Sequence, residues 1–85
     1  MKLINIGFSN FVSDARVVAV AQPEAEPIKR LIRDAKEEGR VVDATSGKRT
    51  RSVIVTDSDH VILSALLPDV LSRRLAGEEP SEADE

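Results

Sequence analysis

The sequence predicts a small α+β domain, a mostly antiparallel sheet carrying two helices in the order β-β-α-β-β-β-α. Three observations lead there. Segment 27–38 spaces its apolar residues as one helical stripe. Several runs of Val, Ile and Leu have strand length. Turn-forming clusters between 41 and 65 lie so close together that successive strands read as an antiparallel meander. The chain has 85 residues, no cysteine and only two aromatic residues, Phe8 and Phe11. It is one domain at most, and its core is aliphatic. A lean core in so short a chain favours self-association, because a second copy supplies burial that one copy lacks.

The elements follow in order. Leu3, Ile4 and Ile6 mark a strand over 2–7, with Gly7 as punctuation and Ser9-Asn10 as a turn. Residues 15–21 (Ala-Arg-Val-Val-Ala-Val-Ala) are apolar on both parities after Arg16, as in a strand covered on both sides. Gln22-Pro23 ends it. Pro27 suits the first position of a helix. Ile28, Leu31, Ile32 and Ala35 then form one apolar stripe, and Gly39 fits the left-handed residue that closes the helix. Lys29, Arg33, Lys36 and Arg40 share another side. Two strands, 41–45 and 52–56, are expected to join around Ser46-Gly47-Lys48-Arg49. Asp57-Ser58-Asp59 is a second turn before a strand over 60–65. Pro68 opens a short helix closed by Gly77.

Charge is segregated. The net charge is −3, yet residues 77–85 hold five acids and no base. Without them the body carries 12 basic and 10 acidic residues, and segment 28–51 alone carries eight bases against four acids. The chain therefore divides into a domain over 1–76 and an acidic tail, 77–85, whose composition predicts disorder. The longest apolar runs fall far short of the roughly 20 residues of a membrane helix. Met1-Lys2-Leu3-Ile4-Asn5 lacks a signal peptide's apolar stretch. A cytoplasmic protein with no membrane partner is expected.

Candidate chemistry narrows quickly. Val53-Ile54-Val55-Thr56-Asp57-Ser58-Asp59-His60 resembles the first motif of haloacid-dehalogenase-type phosphatases. The chain is far too short for that fold, and no later acidic pair offers a magnesium site. Asp and Ser are also turn formers, so a structural turn is expected, with His60 opening a strand and making a structural hydrogen bond. Ser46-Gly47-Lys48 echoes a phosphate loop, but Val42 stands where the upstream glycine belongs. One histidine offers no nucleophilic triad. No enzyme activity, cofactor, metal or small-molecule substrate is expected. What remains is Gly47-Lys48-Arg49-Thr50-Arg51, three cations in four positions. Arg49 and Arg51 would share a strand face, where like charges repel unless a polyanion binds. Gly47 and Thr50 add donors for phosphate. By strict parity the two arginines also share a face with Val53 and Val55. Either the strand twists or bulges near 51, or the arginines lie past the edge of the core.

Further residues carry a resemblance. Asn5-Ile6-Gly7-Phe8, Pro27-Ile28-Lys29-Arg30-Leu31-Ile32, Asp43-Ala44-Thr45 and Thr56-Asp57-Ser58-Asp59-His60-Val61-Ile62-Leu63-Ser64 are similar to the RemA family of small bacterial regulators, in one register over about 5–74. The resemblance implies a DNA-binding transcriptional regulator that activates biofilm extracellular-matrix operons in its best-known members. It also implies a LytTR-like subunit and a ring-shaped homo-oligomer with DNA along its outside. Carried over, the family's second-strand arginine falls on Arg16, its basic turn on Lys48, Arg49 and Arg51, and its helix-opening proline on Pro27. The family usually shows Tyr-Gly-Arg-Arg-Thr-Arg where this chain has Ser46-Gly47-Lys48-Arg49-Thr50-Arg51, and Ser9 stands where glycine is usual. Lys48 keeps the charge without the bidentate geometry. The expected partners are DNA and further copies of the chain. The expected DNA contacts are Lys48, Arg49 and Arg51, with Arg16 and Arg33 nearby. The alternative is an assembly module whose basic face binds acidic protein partners.

Overall fold

A computed structural model describes residues 2–78. Eight elements follow one another: β1 (Leu3–Asn5), β2 (Phe11–Ser13), β3 (Val17–Ala21), α1 (Glu26–Glu37), β4 (Val41–Asp43), β5 (Ser52–Thr56), β6 (Val61–Ser64) and α2 (Pro68–Leu75). A single 3-10 turn, Asp14–Arg16, leads into β3. The α+β class and both helices agree with the sequence reading. The strands differ from it in three ways.

The first strand is a short ribbon. β1 pairs antiparallel with β2, a strand not expected from sequence, and the pair forms its own two-stranded sheet. Three residues of mixed polarity, Phe11-Val12-Ser13, are too few for an alternation to be recognised. The ribbon closes through Gly7-Phe8-Ser9-Asn10, where Asn10 N–H donates to the Gly7 carbonyl at 3.0 Å. Phe8 and Ser9 have φ of 56° and 63°, the mirror-image turn that matches strand twist.

The second difference is topological. The main sheet runs β3-β5-β6-β4, and β4 pairs in parallel with β6. Thus 41–45 and 52–56 are not a hairpin. The chain leaves β4, crosses the end of β6 and enters β5; only β5 and β6 form a hairpin. The physical reason lies in β6. Val61 and Leu63 are buried and Ile62 is half-buried on the opposite face, so this strand belongs inside the sheet. The three-residue β4, with Val42 47% exposed, suits an edge. The remaining pairings, β1–β2, β3–β5 and β5–β6, are antiparallel.

The third difference is β3. It occupies the other edge rather than a doubly covered position. A register shift between Val17 and Ala19 leaves Val18 facing solvent at 66% exposure.

Each sheet face has its own core. α1 lays Ile28, Leu31, Ile32 and Ala35 on Val53, Val61, Leu63 and Val41. The other face packs Ile54 with Ile6, Ala44 and Leu71, flanked by Val12, Val17, Val20, Ile62 and Leu66. Burying an aliphatic side chain of this size contributes about 1.5–3 kcal/mol. Polar bonds tie the ribbon to this second layer. Ser64 Oγ donates to the Ile6 carbonyl at 2.7 Å, and the buried Arg74 donates from Nη1 to the Asn5 carbonyl at 2.8 Å. Arg74 stands three residues after Leu71, so helical spacing already places it on the buried side of α2.

Residues 79–85, most of the acidic tail, lie outside the described residues.

Candidate nucleic-acid interface

The cationic segment hangs on a loop pinned at both ends. At its start, Asp43 Oδ1 accepts hydrogen bonds from Thr45 Oγ1 at 2.6 Å and Thr45 N–H at 3.0 Å. These two bonds hold the Asp43 carboxyl below its ordinary pKa, with a smaller contribution from the Lys36 charge. Next, Lys48 N–H donates to the Thr45 carbonyl at 2.9 Å around Ser46 and Gly47, whose φ values are 52° and 80°. Glycine takes this geometry freely, as the sequence suggested; Ser46 takes it at a cost. At its end, Arg51 N–H donates to the Ser64 carbonyl at 2.8 Å.

The parity conflict at Arg51 resolves in favour of the core's edge. β5 begins at Ser52, and its pairing with β6 runs without a shift from Ser52 to Val55. Arg51 therefore lies past the strand's end. Lys48, Arg49 and Arg51 are all exposed. Arg49, Thr50 and Arg51 line an open concavity of about 400 Å³ with Gln22, Glu24, Leu67 and Pro68. The acid there leaves the cations nearly free. Glu24 Oε2 lies 3.9 Å from Arg49 Nη2, and both side chains are mostly exposed. Such a pair contributes little.

Arg16 does not join this cluster within one subunit. It precedes β3, and its carbonyl accepts from Asp57 N–H at 2.9 Å, beyond the far end of β5. The five residues of β5 separate Asp57 from Arg51, six steps or about 20 Å at the usual rise. Arg33 is exposed on α1, which packs against the sheet through Ile28, Leu31, Ile32 and Ala35. Arg40, expected on the same stripe, lies beyond the helix. Gly39, at φ 71°, breaks the spiral first. Arg40 then donates from Nε to Glu38 Oε1 at 2.7 Å and from Nη1 to the Asp59 carbonyl.

The Asp57-Ser58-Asp59 segment is a turn, as expected. Asp59 N–H donates to the Thr56 carbonyl at 3.2 Å, and Asp59 has φ 67°. His60 Nδ1 shares a hydrogen bond with Ser58 Oγ at 2.8 Å, and Ser58 shares another with Thr56 Oγ1 at 2.9 Å. Among the described residues no three His, Cys, Asp or Glu side chains are grouped to hold a metal ion. No helix there is long and apolar enough to cross a membrane. The partnership of Asp57 with Arg16 was not legible in the sequence. It depends on β3 pairing with β5, which brings together residues 41 positions apart.

The fold and its loop define a small α+β protein with an exposed cationic segment. Residues 3–75 match the RemA-like family, described as extracellular matrix regulatory protein A-like, and the chain belongs to that family. It is 60% identical over 79 residues to a protein of Halothermothrix orenii, covering 93% of this chain and 94% of that one. A protein of Desulforamulus reducens is 54% identical over 85 residues, covering 100% and 94%. One of Geobacillus thermodenitrificans is 57% identical over 77 residues, covering 91% and 88%. All three bear the name "Putative regulatory protein". Family and relatives together support a regulatory role.

Proposed function

We propose that this chain is a cytoplasmic, non-enzymatic DNA-binding transcriptional regulator that acts as a homo-oligomer. Lys48, Arg49 and Arg51 hold phosphates, and Arg16 and Arg33 add further contacts. The observation that carries the reading is the pairing of two exposed arginines, Arg49 and Arg51, in one concavity on a loop whose ends are hydrogen-bonded to the sheet. Cations on a tethered backbone leave less chain freedom to be lost on gripping a phosphate chain than cations on a free loop. One subunit makes few such contacts, so binding is weak until copies join and the contacts act together. Support for association comes from exposed apolar side chains, Leu3, Phe11, Val18, Val42 and Leu67 among them, and from the outer edges of β3 and β4. Sequence preference would rest on DNA shape and bendability, since few side chains here suit base edges. The family description speaks of extracellular matrix regulation, so matrix genes are the first targets to examine.

The test is the double variant Arg49→Ala, Arg51→Ala, with DNA binding titrated by fluorescence anisotropy at several salt concentrations. Wild-type log affinity falls with log salt by about 0.9 per phosphate neutralised. The double variant loses DNA binding while sedimentation shows an unchanged assembly. A wild type with a flat salt dependence overturns the reading. Loss of assembly together with binding assigns the arginines to subunit contacts and favours the assembly-module alternative.

A further inference from the structure

We propose that Asp57 is a positioning residue for Arg16, holding its guanidinium so that the terminal nitrogens meet a phosphate oxygen pair. This rests on the DNA-binding reading above and extends it to the far end of the sheet. The geometry is specific. Arg16 Nε donates to Asp57 Oδ1 at 2.7 Å, and the same two residues share a backbone bond, Asp57 N–H to the Arg16 carbonyl, at 2.9 Å. Asp57 engages Nε alone. The edge formed by Nη1 and Nη2, the two-pronged face that matches phosphate geometry, is left for a ligand.

Asp57 is itself held. The turn that carries it is closed by the Asp59 to Thr56 bond and by the Thr56–Ser58–His60 side-chain chain. The backbone that carries the carboxylate is thus fixed, and the carboxylate itself is aimed at Arg16. The pair stays accessible, with 61% and 49% of the two side chains exposed. An ion pair that open contributes little to stability, so folding alone gives weak reason for the arrangement. It does restrict an arginine that would otherwise lose much side-chain freedom on binding. A carboxylate beside a phosphate site also repels the phosphate, so the two effects oppose each other in sign. That opposition makes the test decisive.

The experiment measures the affinity of the intact chain for duplex DNA in the wild type, Asp57→Ala, Asp57→Asn, Arg16→Ala and the Arg16→Ala, Asp57→Ala double variant. Asp57→Ala weakens binding about threefold to tenfold although it removes a negative charge. Asp57→Asn, which keeps the acceptor oxygen, binds at least as tightly as wild type. With Arg16 already absent, Asp57→Ala tightens binding by up to about twofold, because only the charge effect remains. If Asp57→Ala fails to fold, Asp57→Ser replaces it, since serine suits the turn but is too short to reach Nε. Tightened or unchanged binding in the first variant overturns the proposal, as does an Asp57→Asn variant that weakens like the alanine. A wild type that binds no DNA overturns the DNA-binding reading itself, and this inference with it.

Discussion

Ser9 holds a left-handed backbone, φ 63°, at an exposed tip directly after Phe8 at φ 56°. A side chain in this region crowds its own carbonyl, at a cost of about 1–2 kcal/mol, whereas glycine adopts it freely. Ser9→Gly is expected to stabilise the fold by up to about 1 kcal/mol, after the added freedom of glycine in the unfolded chain is offset. Urea denaturation measures this as a raised midpoint with an unchanged slope. A lowered midpoint would mean that Ser9 makes a contact worth more than its strain.

At the scale of elements, the cationic loop depends on the small motif at the end of β4. Asp43 accepts two bonds from Thr45, and its carboxyl titrates below its ordinary value for that reason first. A depressed folded pKa means the carboxylate contributes stability above the unfolded value, and the contribution is lost as pH falls through the folded one. Asp43→Ala is therefore destabilised relative to wild type at neutral pH. The gap closes on acidification below about pH 4. Denaturation curves at a series of pH values give the result, and a gap that widens in acid would exclude the mechanism. On the proposed DNA-binding reading, the same variant also weakens DNA binding, because the loop loses its anchor. The crossover itself was hidden from sequence inspection. The turn at Ser46-Gly47 reads equally as a hairpin or as a bend in a longer connection, and only the need of β6 for neighbours on both sides separates them.

At the scale of the molecule, the cations fall at two ends of one sheet, Arg49 and Arg51 at one and Arg16 at the other. A regulator built from one copy would present two weak anchors, whereas an assembly can align equivalent ends of successive copies. Net charge acts against DNA, since residues 78–85 contribute five of the 15 acids. Removing them should leave the unfolding transition in place and tighten DNA binding, most clearly at low salt where screening is least. Weaker binding after the deletion would give the tail a positive role in recognition.

Composition and local spacing were enough to establish a small aliphatic α+β domain, the span of α1, the turns at Ser46-Gly47 and Asp57-Asp59, and the clustering of Lys48, Arg49 and Arg51. Those features depend on residues within a few positions of each other, where period, backbone preference and charge act directly. Only the tertiary structure decided that β4 runs parallel to β6, that Arg16 belongs to Asp57 rather than to the basic loop, and that Arg40 is tied down while Arg33 is not. Each of these depends on which strand lies beside which. That choice is made by burial on two faces of a sheet, a property of the whole chain that no local window contains.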